Sequence, residues 1–258
     1  MALRPLVLAL LVAATASACK SEPKVDPAEV AAKRDRDLAN AKIRLRDGKI
    51  DDAEILLKNV LATDPKNAQA LYGMGRVKYE RSQYDESADL LQKAIAEDGN
   101  VAEFYASLGT TLAIQKKYAE AAAAFGKAFK LEGENGDYGL NWGKNLNLAK
   151  KFAEAEEALR QVAEVDVKAR FVYCELGDAL REQGKLDEAL VTYMKAQTEN
   201  PDDKMAHAGA AFVYEAKGDV KHALDEWSTY IRMDCCSDFS KDVARKKMVE
   251  LKLPEGSG

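Results

Sequence analysis

Four cysteines and two histidines are the side chains in this 258-residue sequence best suited to nucleophilic, ligating or redox chemistry. An enzyme needs several such groups brought together, and their spacing gives no such constellation. His207 and His222 stand in no metal-ligand spacing, and there is no Gly-x-Ser-x-Gly nucleophile elbow or phosphate-cradling loop. Gly73-Met74-Gly75 lacks the third glycine of a dinucleotide fingerprint and lies in a helical pattern, where close helix packing explains it. The paired acids Asp51-Asp52 and Glu156-Glu157 read as solvated helix faces. No catalytic residue, metal site or bound cofactor is expected. The chemistry that remains is that of the thiols: Cys19 near the N-terminus, Cys174, and the adjacent pair Cys235-Cys236.

Cys19 takes its meaning from what precedes it. Residues 1–18 hold Arg4, an unbroken apolar run from Leu6 to Ala14, and the small residues Ala16-Ser17-Ala18. A nine-residue helix spans about 13 Å against a hydrocarbon core of about 30 Å, so this run does not cross a membrane. It reads as an export signal. Running directly into a cysteine, it resembles a bacterial lipoprotein signal, with Ala16 where that family prefers leucine. The resemblance implies cleavage before Cys19 and a covalent lipid on it, and Lys20 in the next position implies the outer membrane, on its periplasmic face. Acyl chains contribute roughly 0.8 kcal/mol per buried CH₂, enough for stable anchoring when several are attached. Beyond a short polar linker, Asp26-Pro27-Ala28-Glu29 has the form of a helix start, with Asp26 as cap and Pro27 in the first turn. An exported chain meets an oxidising compartment. An internal bridge from Cys174 to the pair is disfavoured by distance along the chain's repeats; a Cys235–Cys236 bridge, burial, or a link to a partner stay open.

The elements that position these residues follow from composition and periodicity. Apolar residues make up 47% and charged residues 31%, aromatics only 7%, and Ala, Leu, Lys and Glu dominate, a helix-favouring mixture. The net charge of −5, with both signs interspersed, gives no clustered positive face for nucleic acid. A period of 34 residues runs six times from Arg34 to Ser237 without insertion. Its eighth column holds Ala41, Gly75, Gly109, Gly143, Gly177 and Ala211, and its twentieth Ala53, Ser87, Ala121, Ala155, Ala189 and Ala223. The seventeenth (Ile50, Tyr84, Tyr118, Phe152, Leu186, Val220) and the twenty-fourth (Leu57, Leu91, Phe125, Leu159, Tyr193, Trp227) are apolar or aromatic. Two amphipathic helices per unit, A and B, account for this: small residues let backbones approach and large ones fill the gaps beside them. Turns between A and B fall at Asp47-Gly48-Lys49, Glu182-Gln183-Gly184 and Lys217-Gly218-Asp219, while Pro65 and Pro201 punctuate the joints between units.

These columns resemble the tetratricopeptide repeat. The resemblance implies an all-α, right-handed superhelical solenoid of six helix-turn-helix units, 34–67, 68–101, 102–135, 136–169, 170–203 and 204–237. Residues 1–18 would be signal and 19–33 the lipidated cysteine, linker and start of the first helix. Residues 238–258 would be a capping helix and tail, with Phe239, Val243, Met248 and Leu251 as its apolar anchors. Asp37, Asn40 and Arg44 stand where a unit inside the array has apolar residues, as suits an open end. Unit four, with Gly136, Gly139 and Gly143 and four asparagines between Asn135 and Lys150, is expected to flex.

In that family, helix A lines the concave side, and the second, fifth, ninth and twelfth positions of a unit point into it. Carried over, this gives Tyr72, Arg76 and Tyr79 in unit two, and Lys144 and Asn147, with Asn141 nearby, in unit four. Phe171, Met205 and Phe212, with Cys174, form an apolar groove in units five and six. The fifth column holds no lysine, so the carboxylate clamp of some family members is absent. Six such units behind a lipoprotein cysteine resemble the pilotins of type IV pili. That resemblance implies a protein partner, a secretin or another envelope protein, captured in the groove, and a membrane reached through the lipid. The alternatives are an adaptor for cell-wall hydrolases or synthases and an accessory lipoprotein of outer-membrane β-barrel assembly.

Overall fold

A computed structural model describes residues 26–165 and 171–252. Among these residues there are thirteen α-helices and no strand. The A helices are α1 (Pro27–Arg46), α3 (Ala68–Glu80), α5 (Ala102–Ile114), α7 (Gly136–Leu148), α9 (Val172–Glu182) and α11 (Lys204–Ala216). The B helices are α2 (Ile50–Thr63), α4 (Tyr84–Glu97), α6 (Tyr118–Leu131), α8 (Phe152–Val165), α10 (Leu186–Glu199) and α12 (Val220–Met233). A five-residue π turn, Ser240–Ala244, then leads into α13 (Arg245–Lys252). Each helix packs on the next, and successive A helices also touch one another: α1 on α3, α3 on α5, α7 on α9, α9 on α11. The expected signal, Cys19 and the tail from Leu253 lie outside the described residues. No helix among the described residues is long and apolar enough to cross a membrane.

The two columns of small and large residues meet in space. A Cβ built on Gly75 would lie 2.9 Å from Leu91, one on Gly109 2.8 Å from Phe125, one on Gly143 2.3 Å from Leu159, and one on Gly177 2.6 Å from Tyr193. Within a unit, therefore, the glycine of helix A is the seat for the large residue of helix B, which is 4% exposed or less in all six units. The twentieth column is fully buried, from Ala53 to Ala223, and Ser87 there faces Thr111 across the joint, oxygen to oxygen at 3.4 Å. Asp26 does cap α1, accepting from the Ala28 N–H at 2.9 Å. Phe239, Val243, Met248 and Leu251 all pack on the last core cluster, around Trp227 and Tyr230.

Unit four seats large side chains on its glycines as the other units do. Gly139 sits against Val162 (2.3 Å from a Cβ built there) and the Phe129 ring (3.1 Å), while Trp142 packs over Gly126 (3.0 Å). Gly139 and Gly143 are thus close-approach sites. Phe129 and Val162, from neighbouring helices, supply the bulk missing at the fourth position. The reading of Glu156 as a solvated acid is corrected. Its carboxylate accepts from Lys185 at 2.7 Å, Gln183 at 2.9 Å and Arg160 at 3.0 Å, joining α8 to the turn before α10. Burial works against the charge, but these donors outweigh it and hold the Glu156 carboxyl at about 2. Asp51 and Asp187 likewise reach Arg81 and Lys217 in the following unit, although pairs this exposed to solvent contribute little to stability.

Every A–B turn carries one residue with a left-handed backbone, again at a 34-residue interval. Gly48, Gly184 and Gly218 take it in three turns; Ser82 (φ 59°), Lys116 (φ 60°) and Lys150 (φ 60°) take it in the others. The left-handed conformation costs an L-residue roughly 1–2 kcal/mol, which glycine escapes, offset in part by glycine's greater freedom when unfolded. Lys116→Gly and Lys150→Gly should therefore each stabilise the fold, by about 0.5–1 kcal/mol, read as a raised denaturation midpoint; an unchanged or lowered midpoint would contradict this.

Candidate partner-binding site

Successive A helices line one side of the array, the side that the resemblance makes concave, and a recess lies there at the N-terminal end. A pocket of about 180 Å³ opens between α1, α3 and α5, floored by Leu38, Leu57 and Gly73 and edged by Lys42, Tyr72, Arg76 and Glu103. A second recess of about 140 Å³ adjoins it on the other side of Arg76, lined by Tyr79, Ser107, Thr110 and Thr111 among others. Arg76 is shared by both. Neither Lys42 nor Arg76 is tied up in an ion pair among the described residues. Glu103 is engaged by the Tyr72 hydroxyl, which donates to it at 2.7 Å. The recess thus offers an apolar floor with two unpaired cations at its lip.

The three residues proposed in unit two are brought together here, but not on equal terms. Tyr72 is buried at 8% exposure, with its ring stacked on Phe104 at 4.8 Å. Burial pushes its phenol up to about 12. It is a wall of the pocket and part of the core between α3 and α5, which corrects its reading as a free contact residue. Tyr79 is half-buried beside Tyr84, ring centroids 5.7 Å apart, and Arg76 is half-exposed. Lys42, Leu38 and Glu103 were not proposed. The column rule that singled out unit two points to them as well, at the ninth and fifth positions of unit one and the second of unit three.

Two of the unit-four residues, Asn141 and Asn147, are engaged within the fold. Asn141 donates its amide back to the Asp137 carbonyl at 2.8 Å, a bond within its own helix. Asn147 donates to the Glu175 carbonyl at 2.9 Å and carboxylate at 3.1 Å, tying α7 to α9. Burial raises the Glu175 carboxyl, opposed by the Asn147 bond and the charge of Lys144. Lys144 itself is exposed.

The expected apolar groove of units five and six is only partly formed. Phe171 does not belong to helix A: its φ of 69° excludes it from the helix, which begins at Val172, and its side chain is 46% exposed. Met205 is exposed on the first turn of α11. Phe212 packs edge-on against Trp227 at 4.8 Å and is covered by the Arg181 guanidinium, 5.5 Å from the ring centre. Cys174 is buried, and burial pushes its thiol well above the usual range. Next to it, the Tyr193 hydroxyl donates to Asp178 at 2.7 Å, while burial raises the Asp178 carboxyl. Polar groups interrupt this end of the concave side.

The histidines are structural contacts. His207 shares a short bond of 2.6 Å with Glu226, and exposed His222 pairs with Asp219 at 2.7 Å and stacks on Tyr214. No group of three or more His, Cys, Asp or Glu side chains among the described residues could hold a metal ion.

Comparison with known proteins agrees with this architecture. One tetratricopeptide-repeat profile matches residues 44–109, and a second matches 102–135 and 172–203. No curated protein matches the sequence. Among solved structures, PilF of Pseudomonas aeruginosa superposes with a TM-score of 0.64 at 20% identity, over 84% of this chain and 99% of that one. YrrB, a repeat protein of the same type with an unusual peptide-binding site, gives 0.60 at 20% identity, over 73% of this chain and 97% of that one. MamA from Desulfovibrio magneticus RS-1 gives 0.59 at 21% identity, over 67% and 97%. At these identities the likeness speaks for the fold. The chain carries tetratricopeptide repeats over residues 44–135 and 172–203, in an all-α array of the kind that serves as a scaffold for protein–protein interaction.

Proposed function

We propose that this scaffold is a lipid-anchored assembly factor of the pilotin type, which holds a segment of the type IV pilus secretin in its concave side at the outer membrane. The observation that carries the reading is the position of Cys19, which follows a segment that reads as an export signal and stands only a few residues before Pro27 opens the helical array. A lipid there would keep the body close to the bilayer, since six extended residues reach roughly 20 Å. Lys20 favours the outer membrane in the lipoprotein family that this signal resembles. The recess around Arg76 supplies a place for a partner, and PilF shares the fold. No cofactor beyond the covalent lipid enters the proposal.

In a strain lacking the gene, secretin monomers should replace heat-resistant multimers and surface pili should be lost. Cys19→Ala should move the protein out of the outer-membrane fraction. Normal multimers in the deletion strain would overturn the pilotin reading, and unchanged fractionation of the Cys19 variant would overturn the anchor.

A further inference from the structure

The joint between α12 and the capping helix carries the only adjacent cysteines in the sequence. Both are exposed, and their sulfur atoms face one another 2.6 Å apart. The bend that presents them is fixed from several sides. Asp234, ending α12, accepts from the Ser237 N–H at 3.1 Å and the Tyr230 hydroxyl at 3.2 Å, and it pairs with Lys204. Ser237 in turn accepts from the Ser240 N–H at 3.1 Å, and Arg245 donates to the Cys235 carbonyl at 3.0 Å. None of these bonds uses a thiol, so the two sulfur atoms are left to each other. Cys174, the other described cysteine, is buried in α9 within a different core cluster.

We propose that Cys235 and Cys236 close a vicinal disulfide that seals this joint. The reaction is exchange with a disulfide oxidant. One thiolate attacks a sulfur of the oxidant and releases a first thiol; the second thiolate attacks the resulting mixed disulfide and releases another. The cysteine pair gives up two electrons and two protons, and the oxidant becomes two thiols. The neighbouring sulfur raises the Cys236 thiol, first through the hydrogen bond between the two and then through charge repulsion. The closed ring would also withdraw two surface thiols from pairing between chains. It sits where α13 depends on the bend, with Phe239 held against Tyr230 at 5.3 Å and Trp227 at 6.3 Å.

The test needs no assumption about cellular location. The full chain, first reduced, is treated with oxidised glutathione, alkylated under denaturing conditions and mapped by mass. The proposal predicts a Cys235-Cys236 peptide lighter by two hydrogens, free of alkyl groups and glutathione, from a chain that stays monomeric on non-reducing gels, with Cys174 alkylated. Cys236→Ser, which leaves Cys235 without its neighbour, should retain glutathione as a stable mixed disulfide. Alkylation or glutathione at both wild-type thiols, a link between chains, or a bond to Cys174 would each overturn the proposal.

Discussion

Tyr193→Ala should destabilise the array by about 3–5 kcal/mol, the range for removing a fully buried aromatic ring, with the loss read as a lowered midpoint in denaturant. The ring sits between two glycines of successive A helices. A Cβ built on Gly177 would lie 2.6 Å from it, and one built on Gly209 2.3 Å. Side chains cannot reach into the space from the glycine positions, so the cavity would persist. The hydroxyl adds a second loss, because it donates to Asp178, whose carboxyl burial already raises. Tyr193→Phe separates the two terms: it keeps the ring and removes only the hydrogen bond, at about 1–2 kcal/mol. Equal losses for the two substitutions would show that the hydroxyl, not the seat between glycines, holds this unit pair together. Repeat arrays draw stability from nearest-neighbour interfaces, so unfolding of units five and six ahead of the rest is the expected pattern.

That seat could be read from the sequence because six copies vote on each column. A single Gly177 and a single Tyr193 say little. Aligned with Gly75 and Leu91, Gly109 and Phe125, or Gly143 and Leu159, they specify a small-against-large contact, and the structure places each such pair in touch. The anchors of the capping helix were legible for the same reason, as a continuation of the A-helix pattern. What stayed hidden depends on residues the columns do not share. Tyr72 belongs to a concave position, yet Phe104 one unit further on draws its ring into the core. Phe171 keeps the register of the second column, but its left-handed backbone takes it out of the helix. Ser82, Lys116 and Lys150 bear a conformation that glycine announces in the other turns and that their own side chains conceal. Glu156 looked solvated until the turn of the next unit was seen to bring Lys185 and Gln183 to it.

The second large effect concerns the recess between α1, α3 and α5. Lys42→Glu combined with Arg76→Glu should weaken binding of the partner by about 2 kcal/mol or more, roughly 30-fold in Kd, while changing fold stability by no more than about 0.5 kcal/mol. Both cations edge an apolar floor, and neither carries an ion pair among the described residues, so reversing them breaks no internal bond. Arg76 counts twice, since it borders the hydroxyl-lined recess as well. Tyr72→Ala is the poorer probe: it removes the stack on Phe104 and the bond to Glu103, so lost binding would be confounded with lost core. Titration calorimetry against the purified secretin, alongside a thermal melt of the same variant, separates the two effects.

The most direct test of the account is the state of the secretin in a deletion strain that produces the Lys42→Glu, Arg76→Glu protein with its Cys19 intact. If the concave recess captures the secretin while the lipid supplies only the destination, the variant will reach the outer membrane at normal abundance and the secretin will remain monomeric. Heat-resistant multimers at the wild-type level, with the variant present in the same membrane, would contradict it.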